Sequence, residues 1–355
     1  MGCAHPGPNE SGLRERFAFA PAQVFARPSA WQASHVLDRL LSSEEPSVRL
    51  KARTAVLGER PSLELLEQVR SSDRVAAVLS ERSSDGTIEL HPYAKWRGAH
   101  WVLVTLAELG FPPGDDSLVP LREQVLSWLL SERYERRWVT PRPNGLCRMH
   151  ASQDANAVWS LVRLGLVDER IDRLVHRLLS AQWPDGGWNC DPRPNAHVSS
   201  FEETVIPLRA LAAYAAETRK ADARVAADRA AEVFLTRHLY RRRGDGRPLA
   251  ARFLQLHFPP YWHYDILFAL KVLAEGGYVD DARCADALDL LEAKRLPDGG
   301  FPAEARYYRG ATASSNASVV DWGGTSVRRS NEWVTVDSFA VLVSAGRGVR
   351  ERQGV

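Results

Sequence analysis

The sequence QWPDGGW at residues 182–188 determines how the rest of the chain is interpreted. Glycine reaches positive φ without a steric cost, so the Asp185-Gly186-Gly187 step predicts a tight reversal of the chain. The Asp185 side chain is able to cap this turn. Apolar residues at helical spacing lie on both sides, which predicts a helix, a turn and a second helix.

Similar turn sequences recur every 40 to 60 residues. Asp298-Gly299-Gly300-Phe301 is one strong copy, and the weaker copies are Asp85-Gly86, Asn144-Gly145 and Gly244-Asp245-Gly246. A repeat of this length, with one helical hairpin in each period, is typical of helical arrays. The chain is therefore predicted to consist of repeated helical hairpins.

Two kinds of helix are predicted to alternate along these repeats. The first helix of each pair is amphipathic, as expected where one face meets water, and the second is apolar nearly all round, as expected for burial on both sides. An N-terminal hairpin, Ser29–Leu41 followed by Val48–Leu57, brings the total to six. The other first helices are predicted at Arg74–Glu81, Leu121–Leu130, Ile171–Gln182, Val225–Tyr240 and Cys284–Arg295. The other second helices are predicted at Tyr93–Leu109, His150–Leu164, Ser199–Tyr214, Trp262–Ala274 and Glu332–Ala345.

Six such hairpins predict an all-α (α/α)6 toroid, in which an outer ring of helices surrounds an inner ring. An open solenoid of the HEAT type is the alternative, because periodicity alone does not show that the ring closes. We expect an N-terminal arm at residues 1–28, a single toroid domain at 29–346 and a C-terminal tail at 347–355. The Gly/Ser/Ala-rich segment 301–330 interrupts the helical pattern and is interpreted as a lid loop.

Composition narrows the functional classes. The chain has 355 residues, 45% of them apolar, and a net charge of only +2, which gives no basis for a nucleic-acid partner. Its four cysteines are widely spaced without a C-x-x-C pair, which favours reduced thiols. Residues 1–10 lack the features of a secretory signal, and no apolar run is long enough for a transmembrane span. We expect a cytoplasmic protein.

The two strongest turns carry a resemblance to a known superfamily. QWPDGGW at 182–188 resembles the QW repeats of squalene-hopene and related terpene cyclases, and Asp298–Phe301 resembles the repeats of protein prenyltransferase β subunits. The resemblance covers residues 75–346 and implies a toroid that holds an isoprenoid chain in a central apolar cavity. It also implies a biosynthetic cyclase of the isomerase or lyase class, with a partner subunit or a homodimer as further expectations. The sequence lacks the D-x-D-D acid motif of class II cyclases and the D-x-C zinc motif of prenyltransferases.

Candidate site residues follow from the parallel arrangement of the inner helices, because equivalent positions then lie at one height around the cavity. Carboxylates in such apolar helices are unusual for core packing, and crowding in a low-dielectric site raises carboxyl pKa values. We therefore expect proton transfer inside the toroid. The predicted catalytic residues are Glu203, Asp265, His263, Asp154, His150 and Asp337. The predicted substrate-binding residues are Trp96, Arg97, Trp101, Asn156, Phe201, Tyr261, Trp262 and Trp333.

Three functional hypotheses result. The first is proton-driven cyclisation or isomerisation of an apolar, isoprenoid or polyene-like small molecule without a required cofactor, with aromatic walls stabilising cationic intermediates. The second is a metal enzyme, and the third is a non-catalytic toroid that binds a lipid or a protein. In a simpler interpretation, Glu203 and Asp265 form structural ion pairs with Arg97 or Arg209. The metal hypothesis places zinc or another divalent ion on His197, Glu203 and His263, with Asp265 or Cys190.

Overall fold

The computed structural model describes residues 35–142 and 145–348, so the expected arm at 1–28 lies outside the described residues. Six helical segments form the inner ring, and each of them follows an outer helix along the chain. The inner segments are α2 (Pro46–Lys51, continued by a π-helical turn, Ala52–Val56), α5 (Ala99–Leu109), α8 (Ala151–Arg163), α10 (Phe201–Thr218), α12 (Ile266–Gly276) and α14 (Glu332–Ser344).

The outer helices pack on the inner helices and separate them from solvent. Its helices are α1 (His35–Leu41), α3 (Leu63–Arg70), α4 (Asp73–Val78), α6 (Val119–Leu129), α7 (Glu132–Trp138), α9 (Arg170–Ala181), α11 (Ala221–Leu235) and α13 (Ala285–Ala293). Two short antiparallel strands, β1 (Val139–Pro141) and β2 (Cys147–Met149), form a hairpin before α8.

The ring closes where the first hairpin meets the last. The inner helix α14 contacts both α2 and its π-helical turn. Ser43 Oγ donates to Glu332 Oε2 at 3.0 Å, and Arg39 lies 3.4 Å from Asp298 on the outside of the junction. Contacts between residues nearly 300 positions apart are not available to an open solenoid. The closed toroid is confirmed, and the open alternative is wrong.

The Asp-Gly-Gly turns are anchored on the following inner helices. The Asp185 carboxylate accepts from Ser199 N at 2.8 Å, and Trp188 N donates to Thr204 Oγ1 at 3.1 Å. The turn at 298–301 repeats this arrangement with Ser330 and Thr335 as the partners, at 2.7 and 2.9 Å. These bonds fix where each inner helix begins, so the turn is the structural unit of the repeat.

Several predicted boundaries are wrong, for identifiable reasons. The helix predicted from Tyr93 begins at Ala99, and the one predicted from Trp262 begins at Ile266. Pro92 and the Pro259-Pro260 pair lie in loops before those helices, and Tyr261 has a φ of 48°. The helix predicted to reach Tyr240 ends at Leu235, because His238 and Leu239 adopt positive φ. We call the loops that precede the inner helices the rim loops. The aromatic residues before α5 and α12 therefore belong to the rim loops.

The segment 301–330 contains no helix or strand of its own and packs onto the end of the ring where the inner helices begin. Its Trp322 is buried against Phe258 and Trp333, and Tyr307 stacks on His263. Its function as a lid stays a prediction. None of the helices among the described residues has the length and apolar character required to cross a bilayer.

We predict that Gly186→Ala lowers the melting temperature more than Gly277→Ala. Both glycines have positive φ, 101° and 81°, so both substitutions carry backbone strain of about 1–2 kcal/mol. A Cβ at position 186 would also lie 2.2 Å from the Arg229 carbonyl oxygen, whereas one at position 277 meets no atom within 4 Å. Thermal denaturation followed by circular dichroism measures the difference. Equal melting temperatures for the two variants would contradict this account of the turn.

Candidate active site

A buried network of charged side chains occupies the axis of the toroid. Lys51 Nζ lies 3.0 Å from both Glu108 Oε1 and Asp337 Oδ1, and Lys271 also pairs with both carboxylates. Arg209 bridges Glu108, at 3.0 Å, to Glu275, at 2.6 Å. These residues come from α2, α5, α10, α12 and α14, so the network links five of the six inner segments.

The network holds Glu108 and Lys51 in their charged forms. Burial alone would raise the pKa of Glu108, but Lys271, Lys51 and Arg209 together bring this pKa well below the usual carboxyl range. Burial alone would lower the pKa of Lys51. The carboxylates of Asp337 and Glu108 outweigh burial, and the Lys51 pKa is raised above its usual value. Asp337 is thus bound by two lysines, and its predicted catalytic role stays a prediction.

The axis leaves little space for a substrate. A cavity lined by Thr105, Glu108, Asn156, Arg209 and Tyr261 measures about 10 Å³, and a neighbouring one beside Trp96 is of similar size. One water molecule needs a cavity of about 10–15 Å³. Neither of these two cavities has room for an isoprenoid chain.

Aromatic rings fill the axis on the side of the rim loops. Trp96 stacks on Tyr261 with ring centroids 3.8 Å apart, and Trp101 packs edge-on against both. Trp333 stacks on Phe258, and Phe201 packs against Phe234, Phe253 and Tyr264. These predicted substrate-binding rings serve as core. Arg97, also predicted to bind substrate, forms an ion pair with Glu81.

Two further predicted catalytic carboxylates are fully buried and engaged elsewhere. Asp154 Oδ2 accepts from Arg177 Nε at 2.6 Å, and burial raises the pKa of Asp154 despite this cation. Asp265 caps α12 by accepting from Phe268 N, and its other oxygen accepts from His257 N at 2.9 Å. Asp265 Oδ2 also lies 2.6 Å from His257 Nδ1, so the side-chain partner of Asp265 is a histidine and not Arg97 or Arg209.

A different cluster forms at the rim, where α8 and α10 begin. One ligand-type atom each from His150, Cys190 and Glu203 lies within 4.8 Å of the other two. His150 Nδ1 is 3.6 Å from Glu203 Oε1, and Glu203 Oε2 accepts from Ser152 N at 2.9 Å. About a quarter of the His150 side chain is exposed, whereas Glu203 lies behind it. We call these three residues the rim triad.

Backbone contacts bring the triad together from three separate segments. Met149 N donates to Asn189 O at 3.1 Å, which joins β2 to the segment that follows the QWPDGGW turn. Arg148 Nε donates to Cys190 O at 2.7 Å, and Trp138 packs edge-on against the His150 ring. The turn therefore positions Cys190 beside His150, while α10 supplies Glu203.

Tyr93 lies close enough to the triad for the Glu203 charge to act on its phenol. Burial and the Glu203 charge raise the pKa of Tyr93, with a hydrogen bond to Gln153 acting in the opposite direction. The phenol is therefore protonated at neutral pH. Burial and Glu203 also raise the pKa of Cys190, so without a metal ion its thiol is not an activated nucleophile.

The residues of the predicted metal site are separated. His197 is exposed and its Nδ1 lies 2.9 Å from Asn195 O. His263 stacks between Trp262 and Tyr307, and burial lowers its pKa to about 2, so it is neutral at physiological pH. Within the described residues only the rim triad gathers three metal-ligand side chains. Of the predicted ligands, Cys190 and Glu203 come together, and His150 completes the group.

The ammonium group of Lys95, two residues after Tyr93, packs on the faces of two tryptophan rings. Lys95 Nζ lies 4.8 Å from the centre of the Trp262 ring and 5.4 Å from that of Trp96. No carboxylate lies within 4.0 Å of it in the part of the chain that the structure describes. Lys95 and Tyr93 are two residues apart, so their Cα atoms are at most about 7 Å apart. This ammonium is thus available to a ligand that binds over Trp262.

Comparisons with known proteins support the fold alone. No protein-family model matches the sequence, and no curated protein matches it. Among solved structures, a polysaccharide lyase has a TM-score of 0.50 at 10% identity, covering 90% of this chain and 97% of that one. An unsaturated glucuronyl hydrolase from Bacillus sp. GL1 has a TM-score of 0.45 at 14% identity, covering 87% and 88%. A type II terpene cyclase from Scytonema has a TM-score of 0.26 at 16% identity, covering 79% and 98%.

We predict that Glu108→Gln destabilises the protein by about 3–5 kcal/mol, because it leaves buried cations without a compensating charge. Since the Glu108 pKa is lowered in the folded state, its stabilisation is complete above about pH 4.3, the unfolded value, and is lost as the pH falls through the lower folded value. Melting temperatures between pH 3 and 7 test this. Glu67→Gln, at an exposed ion pair, is the control. A Glu108→Gln variant as stable as that control would contradict the structural role of the network.

Proposed function

We propose that this protein is an enzyme that acts on a sugar-like, hydroxyl-rich substrate at the rim of the toroid, with Tyr93 as the proton donor. The observation that carries the proposal is the partly exposed group of His150, Cys190 and Glu203, in which His150 Nδ1 lies 3.6 Å from Glu203 Oε1 and the Glu203 charge acts on the Tyr93 phenol. A positioned proton donor is the main requirement for breaking a bond to a poor oxygen leaving group.

The rim suits a polar substrate with apolar ring faces. Trp138, Trp262 and Tyr307 are only half-buried there, and flat aromatic rings pack well against the C–H faces of sugar rings. Lys95 adds a cation without a carboxylate partner among the described residues, which favours an acidic substituent on the substrate. The polysaccharide lyase that shares the fold acts, by its name, on polysaccharides.

Glu203 and His150 support the proton transfer. The Glu203 carboxylate is held by Ser152 N, and burial together with this carboxylate raises the pKa of Tyr93. An apolar polyene substrate, implied by the resemblance to terpene cyclases, has less support because the axis holds about one water molecule and a network of ion pairs.

A substrate panel tests the proposal. Purified protein is incubated with acidic oligosaccharides, matched neutral oligosaccharides, squalene and prenyl diphosphates, and products are detected by mass spectrometry. We expect turnover of the oligosaccharides, with the acidic set preferred because of Lys95. Turnover confined to squalene or the prenyl diphosphates would contradict the proposal, and so would the absence of turnover across the panel.

We further predict that Tyr93→Phe lowers kcat by about 100- to 10,000-fold, because it removes the donated proton and little else. Tyr278→Phe is the matched control, since the Tyr278 hydroxyl bonds Asp228 on the outer surface at 2.8 Å. Steady-state kinetics on the substrate found in the panel measures both. Unchanged kcat in Tyr93→Phe would remove this residue from the mechanism.

A further inference from the structure

We infer that the rim triad of His150, Cys190 and Glu203 binds a divalent metal ion of the zinc type. The inference uses the same site as the proposed function but not the proposed substrate. It goes further by assigning a ligand role to three side chains, including Cys190, which the proton-transfer proposal does not need.

The spacing of the triad matches a tetrahedral site. Nitrogen and oxygen ligands lie about 2.0–2.2 Å from zinc, so two of them at a tetrahedral angle are about 3.4 Å apart. His150 Nδ1 and Glu203 Oε1 are 3.6 Å apart, and one ligand atom from each of the three residues lies within 4.8 Å of the other two. An ion between them requires side-chain shifts of only a few tenths of an ångström for the first pair.

The donor types select the class of metal. A thiolate and an imidazole favour zinc, cobalt or iron over magnesium and calcium, which prefer all-oxygen sites. Three protein ligands leave one position of a tetrahedron open, which is the arrangement of catalytic rather than structural zinc. Cys190 binds as a thiolate, and its proton passes to solvent as the metal–sulfur bond forms.

The surrounding structure holds the ligands in place. Glu203 Oε2 is fixed by Ser152 N, which leaves Oε1 directed toward His150. The Cys190 backbone is fixed by Arg148, and β2 is joined to the same segment through Met149 N and Asn189 O. Such outer contacts orient metal ligands and raise metal affinity.

Metal content and cobalt spectra test the inference. The full chain, purified without chelator, is analysed by mass spectrometry for bound metals, and the chelator-treated protein is titrated with Co²⁺. We expect about one equivalent of metal and a thiolate-to-cobalt charge-transfer band. Cys190→Ser should remove the band and weaken binding more than about 100-fold, since losing a ligand costs more than losing an outer contact. Cys147→Ser and His197→Ala, outside the triad, should retain both.

The outcomes separate the inference from the proposed function. Wild-type protein that is folded by circular dichroism but binds no stoichiometric metal and shows no cobalt–thiolate band overturns the inference, and this readout does not depend on how Cys190→Ser folds. Metal binding at the triad without turnover of any oligosaccharide supports the inference and contradicts the proposed function.

Discussion

The buried charge network at the axis is the interaction on which the rest of this toroid depends. Glu108 forms ion pairs with Lys51, Lys271 and Arg209, which come from three other inner segments. Asp337 forms ion pairs with the same two lysines. An uncompensated charge in such a position is costly, so the members are stable only together. The network therefore ties α2, α5, α10, α12 and α14 to one another, and it fills the space that a ring of helices would otherwise leave open.

Because the charge network fills the axis, the candidate catalytic residues lie in the rim loops. The loops before the inner helices carry Tyr93, Lys95, His150, Cys190 and Trp262, and these residues are partly exposed. Parallel inner helices place all of these loops at the same end of the ring. The short β-hairpin before α8 and the segment after the QWPDGGW turn then hold two of the triad residues against the start of α10.

The sequence predicts the architecture well because its signals are local. Helical periodicity, the Asp-Gly-Gly turns and the alternation of amphipathic and apolar helices all lie within about 20 residues of each other, and the toroid follows from them. The site is predicted less well. Residues 91–98 and 259–265 are rich in aromatic residues and are predicted to be largely helical, but they form loops. The helix register predicted from the sequence is therefore wrong at Asp265 and His263, which it places in the cavity. Neither the pairing of Lys51 with Asp337 nor that of His150 with Cys190 has a local signal, because each joins distant segments.

A crystal structure of the protein with zinc and an acidic oligosaccharide tests the central claim most directly. The account predicts anomalous zinc density between His150, Cys190 and Glu203, oligosaccharide density on the rim beside Tyr93 and Lys95, and an axis still occupied by the Glu108 network. Ligand density inside the ring, with Glu108 and Arg209 displaced to admit it, would contradict the claim that the axis is closed and that substrate binds at the rim.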